Sequence, residues 1–167
     1  MIRTRTRSPE DTRHLAANLA ELAQPGDLLL LVGDLGAGKT TFTQGYAGAL
    51  GISEPITSPT FTLAREYHGR LLLHHLDVFR LDQLTEVLDL GLPELLDSNG
   101  VILIEWGNVI RQALPNHYLE VALTFVDDSG DYPDERVVVL NPVGSHWKAR
   151  SEALTTAAQP WMETPPC

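Results

Sequence analysis

The 167 residues suit a single domain, and 43% hydrophobic with 20% charged residues excludes a disordered chain and a membrane protein. Twelve basic against 22 acidic residues leave a net charge of −10, which argues against direct tight binding to RNA or DNA, because such binders displace counterions with a basic surface. One cysteine, Cys167, excludes an intramolecular disulfide and points to a reducing compartment; no apolar run follows Arg3, Arg5 and Arg7 to make a secretion signal, so a cytoplasmic protein is expected.

Ile2 to Thr6 reads as a short edge strand. Ser8-Pro9-Glu10-Asp11 predicts a helix start, with Ser8 as N-cap and Pro9 in the first turn. Leu15, Leu19 and Leu22 keep helical spacing to about Ala23, and Pro25-Gly26 breaks it. Leu28 to Val32 is a continuous apolar run, as in a strand buried on both faces. Gly33-Asp34-Leu35-Gly36-Ala37-Gly38-Lys39-Thr40 follows and matches G-x-x-x-x-G-K-[ST] in full. Glycines let the backbone curl so that successive N–H groups face a phosphate. The helix expected from Lys39 to about Leu50 adds the positive end of its dipole. Lys39 would reach the β- and γ-phosphates of ATP and the Thr40 hydroxyl would ligate Mg²⁺. A glycine turn with a chance Gly-Lys-Thr is the bland alternative; the strand before it and the helix after it count against that.

Thr57 to Thr62 is a Ser/Thr/Pro-rich loop, placed where nucleotide switches hold a threonine near the γ-phosphate; Ser58 and Thr60 are the candidates. Leu71 to Leu76 predicts a strand that ends in His75-Leu76-Asp77-Val78-Phe79-Arg80. Asp77 could orient a water, ligate a metal through water, or act as base; the competing reading is a surface ion pair with Arg80. His74 and His75, adjacent on a strand, point to opposite faces and cannot share a metal, so both are read as structural. A helical region is expected over about Leu84 to Leu96. Val101 to Ile104 is a second buried strand, ending in Glu105-Trp106. A carboxylate there suits a metal-linked role beside a P-loop. Trp106 is either a stacking or partner contact or a packing aromatic. Tyr118 to Val126 and Arg136 to Leu140 read as an antiparallel hairpin with an acidic tip that lacks the spacing of a calcium loop. The expected domain spans 1–144, and 145–167 is expected to be a polar, flexible tail.

The motif set excludes other nucleotide enzymes. No N-K-x-D guanine-reading motif and no HRD or DFG set is present, against a GTPase and a protein kinase. A small-molecule kinase needs an arginine-bearing lid, and between Arg80 and residue 140 the only Arg or Lys residues are Arg111 and Arg136. That reading and a nucleotide-gated adaptor are the alternatives to an ATPase.

In order, Gly33 to Thr41, Ser58-Pro59-Thr60-Phe61, His75 to Leu81 and Ile104-Glu105-Trp106 resemble the motifs of the TsaE (YjeE) ATPase family, over roughly residues 8 to 141. Phe79 stands where the family usually has Tyr, and Gly107 where Pro or Ser is common. The resemblance implies an α/β P-loop NTPase-like three-layer sandwich, a mostly parallel central sheet with an added antiparallel hairpin. It implies a Mg²⁺-dependent cytosolic ATPase, weak alone, needed for threonylcarbamoyladenosine modification of tRNA next to the anticodon. It implies action on a TsaB–TsaD complex, with tRNA held by those partners. It places Thr41 in the nucleotide loop with Gly33 to Thr40, gives Thr40 and Glu105 the metal, and puts Lys39, Asp77 and Glu105 in catalysis. Thr60 falls in the switch-like segment and Trp106 near the site.

Overall fold

A computed structural model describes residues 1–59, 64–79, 84–89, 91–127 and 131–163. In chain order its strands are β1 (Ile2–Thr6), β2 (Leu28–Val32), β3 (Ala64–His68), β4 (Leu72–Asp77), β5 (Val101–Glu105), β6 (Tyr118–Phe125) and β7 (Arg136–Val143). The helices are α1 (Pro9–Ala20), α2 (Lys39–Ala49), α3 (Leu84–Asp89), α4 (Leu92–Asp97), α5 (Ser145–Lys148) and α6 (Ser151–Ala158), with a 3-10 segment at Gly107–Ala113.

The seven strands form one mixed sheet in the order β1-β7-β6-β2-β5-β4-β3. Its centre is parallel: β6 and β5 flank β2, and β4 lies beside β5. Both margins are antiparallel, with β7 on β6, β1 on β7, and β3 on β4. The expected hairpin is therefore present as β6–β7 and the expected edge strand as β1. The expectation of a mostly parallel sheet needs correcting, since half of the strand pairings are antiparallel. The unforeseen strand is β3, whose Ala-Arg-Glu-Tyr-His buries only Tyr67 fully and carries no apolar signal.

The sheet divides two cores, which explains the unbroken apolar runs. Leu29 and Leu31 of β2 and Val101 and Leu103 of β5 pack with α1, α2 and α6 through Leu15, Phe42, Tyr46 and Leu154. Leu28, Leu30, Ile102 and Ile104 point the other way, to Leu92 of α4 and Ile110 and Leu114 at the 3-10 segment. Alternate residues of each strand thus serve opposite layers, and neither face can be polar.

Two other expectations change. The helix foreseen over Leu84 to Leu96 is divided into α3 and α4, because Gly91 (φ 72°) caps α4 and Pro93 lies in its first turn. The segment after Gly144 is not a frayed tail through residue 163. Trp147, Leu154 and Ala158 are buried in the core beside α1, and Thr4 of β1 forms a bridge with Met162. Among the described residues no helix is long and apolar enough to cross a membrane.

Candidate functional site

Strand β2 delivers the chain into the glycine loop at the C-terminal margin of the parallel strands. Gly38, at φ 106°, is the N-cap of α2, a conformation that a side chain would strain. The turn sets Lys39 and Thr40 in the first turn of α2, facing the ends of β4 and β5. In the parallel register Asp77 lies opposite Glu105, so the two strands end in a pair of carboxylates.

Lys39 is 5% exposed. Its Nζ donates to the backbone carbonyls of Gly33 (2.7 Å) and Asp34 (2.9 Å) and lies 3.9 Å from the centroid of the Trp106 ring. Burial pushes its pKa below the ordinary lysine value, and the negative charges of Glu105, Asp77 and Asp34 oppose that shift. Thr40 Oγ1 donates to Glu105, 3.0 Å from Oε1 and 3.3 Å from Oε2. Asp77 Oδ2 accepts from Ser58 Oγ at 2.6 Å, and Oδ1 accepts from the backbone N–H of Phe79 at 3.0 Å. Both Asp77 and Glu105 are buried. Asp77 is thus buried rather than on the surface; its expected ion-pair partner, Arg80, lies outside the described residues.

Trp106 holds φ 62°, the one non-glycine residue with positive φ among the described residues. That turn brings its ring over Lys39 and against Phe79, whose ring centroid is 4.7 Å away. A cavity of about 460 Å³ opens among these groups. Leu35, Gly36, Gly38, Lys39, Thr40, Thr41, Ser58, Asp77, Glu105 and Trp106 line it, with Phe79 at its side. Of the expected site residues, Gly33, Asp34 and Ala37 shape the loop without lining the cavity, and Thr60 lies outside the described residues.

One residue of the site was missed. His75 is fully buried, and its Nε2 lies 2.9 Å from Glu105 Oε1. The adjacency argument held for its neighbour: His74 is on the other face, bonded to Ser98 Oγ at 3.1 Å. It held for His75 as well; what it left out is that period-2 spacing to Asp77 puts both on the face that carries Glu105. The His-x-Asp pattern held that signal.

Thr40, Thr41, Ser58, Asp77 and Glu105 bring side-chain oxygens to the cavity. Among the described residues no group of three or more His, Cys, Asp or Glu is arranged to hold a metal ion. Mg²⁺ usually takes one or two protein oxygens and completes its shell with water and phosphate. Thr40 Oγ1 and the Glu105 carboxylate, in contact and facing the cavity, are the residues that fit such an ion.

Comparison with known proteins adds the following. The family model described as "Threonylcarbamoyl adenosine biosynthesis protein TsaE" matches residues 6–133. A Bacillus subtilis (strain 168) protein named tRNA threonylcarbamoyladenosine biosynthesis protein TsaE is 43% identical over 155 residues, covering 92% of this chain and 94% of that one. A Treponema pallidum (strain Nichols) protein of the same name is 43% identical over 123 residues, 74% of this chain and 91% of the other. The crystal structure of YdiB from Bacillus subtilis superposes with a TM-score of 0.79 at 39% identity, over 93% of this chain and 97% of that one.

Proposed function

The chain belongs to the TsaE family of threonylcarbamoyl adenosine biosynthesis proteins, and we propose that it serves that biosynthesis as a Mg²⁺-dependent ATPase of the P-loop NTPase fold. It acts in the cytoplasm on a complex of TsaB and TsaD homologues, which hold the tRNA. The family carries the role in threonylcarbamoyladenosine biosynthesis; the ATPase chemistry is read from the site.

The observation that supports it best is the Thr40–Glu105 hydrogen bond at the floor of a cavity walled by the Gly33–Thr40 loop. The hydroxyl proton of Thr40 is committed to Glu105, which leaves its lone pairs toward the cavity. Backbone N–H groups of the loop and the N-terminus of α2 bind the phosphates. Lys39 leaves the carbonyls of Gly33 and Asp34 to reach the β- and γ-phosphates, exchanging two neutral acceptors for an anionic one. Thr40 and Glu105 would hold Mg²⁺, which when bound would supply positive charge beside the phosphates. Asp77, locked by Ser58 and the Phe79 N–H, orients the attacking water or takes its proton. Trp106 covers the lysine and contacts the nucleotide or the partner complex. The charge of −10 agrees with a chain that leaves tRNA to other subunits.

The test is ATP hydrolysis by the wild type and Lys39→Ala, with and without TsaB, TsaD and tRNA. The expected result is stimulation by the partners in the wild type and its loss in Lys39→Ala. A wild-type rate indifferent to the partners would favour a small-molecule kinase or a nucleotide-gated adaptor instead.

A further inference from the structure

We infer that His75 is a positioning residue for the metal pair Thr40–Glu105, an inference that rests on the ATP·Mg²⁺ reading above. Glu105 ends a central strand and is buried, so its carboxylate needs hydrogen-bond donors to remain there. Among the described residues two side chains supply them: the Thr40 hydroxyl from the cavity side and His75 Nε2 from inside the sheet. A carboxylate can only accept, so the His75 ring carries its proton on Nε2 in this contact. The other ring nitrogen, Nδ1, is buried and has no hydrogen-bond partner among the described residues. The polar capacity of His75 is therefore spent on a single bond, to Glu105. A histidine kept only for packing gains nothing from that arrangement, since an apolar side chain of similar size would avoid the unpartnered nitrogen.

The three groups form a line from the sheet interior to the cavity: His75 Nε2, Glu105 Oε1, Thr40 Oγ1. His75 fixes where the carboxylate points; the carboxylate fixes the hydroxyl of Thr40. Without the imidazole, Glu105 keeps its place in sequence but loses the bond that selects one orientation. Outer-sphere groups of this kind usually change metal affinity or activity by roughly 10- to 100-fold.

The experiment measures Mn²⁺ binding by electron paramagnetic resonance with a non-hydrolysable ATP analogue, and kcat and KM for ATP at saturating and limiting Mg²⁺ with the partner complex. His75→Leu removes the donor; His75→Gln keeps an N–H near the position of Nε2; His75→Asn is too short to reach. His75→Leu and His75→Asn should weaken Mn²⁺ binding by about 10- to 100-fold, with His75→Gln near the wild type. Affinity for the nucleotide in EDTA should be unchanged in all of them. In a Glu105→Gln background the change to Leu should add little, since the histidine acts through that carboxylate. If His75→Leu does not fold, His75→Gln and His75→Asn decide, and equal Mn²⁺ affinities for those two overturn the role. Wild-type affinity in a folded His75→Leu overturns it as well. A wild type with no metal-dependent nucleotide binding instead overturns the ATP reading.

Discussion

Lys39 and Asp77 occupy the same small cavity with opposite requirements. Lys39 is a charge held where burial disfavours charge, kept there by two backbone carbonyls and by nearby carboxylates. Both carbonyls accept bonds that a phosphate would take over. Trp106 lies directly over the ammonium, so entry of a nucleotide changes the surroundings of that ring. ATP·Mg²⁺ is therefore expected to shift tryptophan emission, and the shift should disappear in Trp106→Phe while Trp147 and Trp161 remain as internal controls. A shift that persists in Trp106→Phe would show that the nucleotide does not reach this ring. Asp77 is different: two donors, the Ser58 hydroxyl and the Phe79 N–H, fix both its oxygens. Asp77→Asn should lower partner-stimulated turnover by about 10²- to 10⁴-fold, the usual share of an acid–base or water-orienting group, with nucleotide affinity within a few-fold. Single-turnover rates beside equilibrium binding separate those effects, and an unchanged rate would return Asp77 to a structural role. At this scale most of the site was legible, because a phosphate loop advertises itself in contiguous residues. His75 was not, because its partner is thirty positions away and only the strand register brings them together.

Elements place these groups, and the brace between α1 and α2 matters most. Helix α2 begins at the phosphate loop, so any shift of its axis moves Lys39 and Thr40. It is held close to α1 where Gly45 meets the backbone of Arg13: a Cβ at Gly45 would fall against the Arg13 carbonyl oxygen and 2.5 Å from its Cα. Two effects compete in Gly45→Ala. Helix propensity alone would favour alanine by about 1 kcal/mol. The obstacle is main chain rather than a flexible side chain, so overpacking of about 1–3 kcal/mol should prevail and the urea midpoint should fall. A raised midpoint would mean that the helices are not in this contact. The sequence showed where α1 lies, through the Ser8 cap, whose hydroxyl accepts from the Asp11 N–H at 3.1 Å, and through leucine spacing, and where α2 begins, through the glycine loop before Lys39. It did not show why Gly45 is glycine, since close approach is a property of a pair of helices. Strand β3 escaped for a related reason: at an antiparallel margin it needs one buried residue, Tyr67, and one residue makes no pattern.

Across the whole molecule, the C-terminal segment is part of the domain, anchored far from the cavity. Averaged composition hid this, because a few buried residues, Trp147, Leu154 and Ala158, lie among polar ones. The anchor is electrostatic as well as apolar. Asp27, at the entry to β2, is buried and receives Arg150 Nη1 at 2.8 Å. The Arg150 guanidinium also donates to the Leu22 carbonyl and lies over the Trp147 ring, 4.2 Å from its centroid. Arg150 thus ties the last helices to the turn between α1 and β2. Arg150→Ala would leave the carboxylate of Asp27 buried with the Gln24 N–H (2.9 Å) and His146 (3.4 Å) as its remaining partners. Loss of one member of a buried pair costs about 3–5 kcal/mol, and those remaining partners favour the lower end. The double variant Asp27→Asn with Arg150→Ala removes the stranded charge and should recover part of the loss. Chemical denaturation of the three variants measures both terms. Nucleotide binding by whatever fraction stays folded should match the wild type, because the anchor touches none of the groups that line the cavity. A variant that is stable but binds nucleotide poorly would instead mean that the C-terminal helices control the position of α2 through α1.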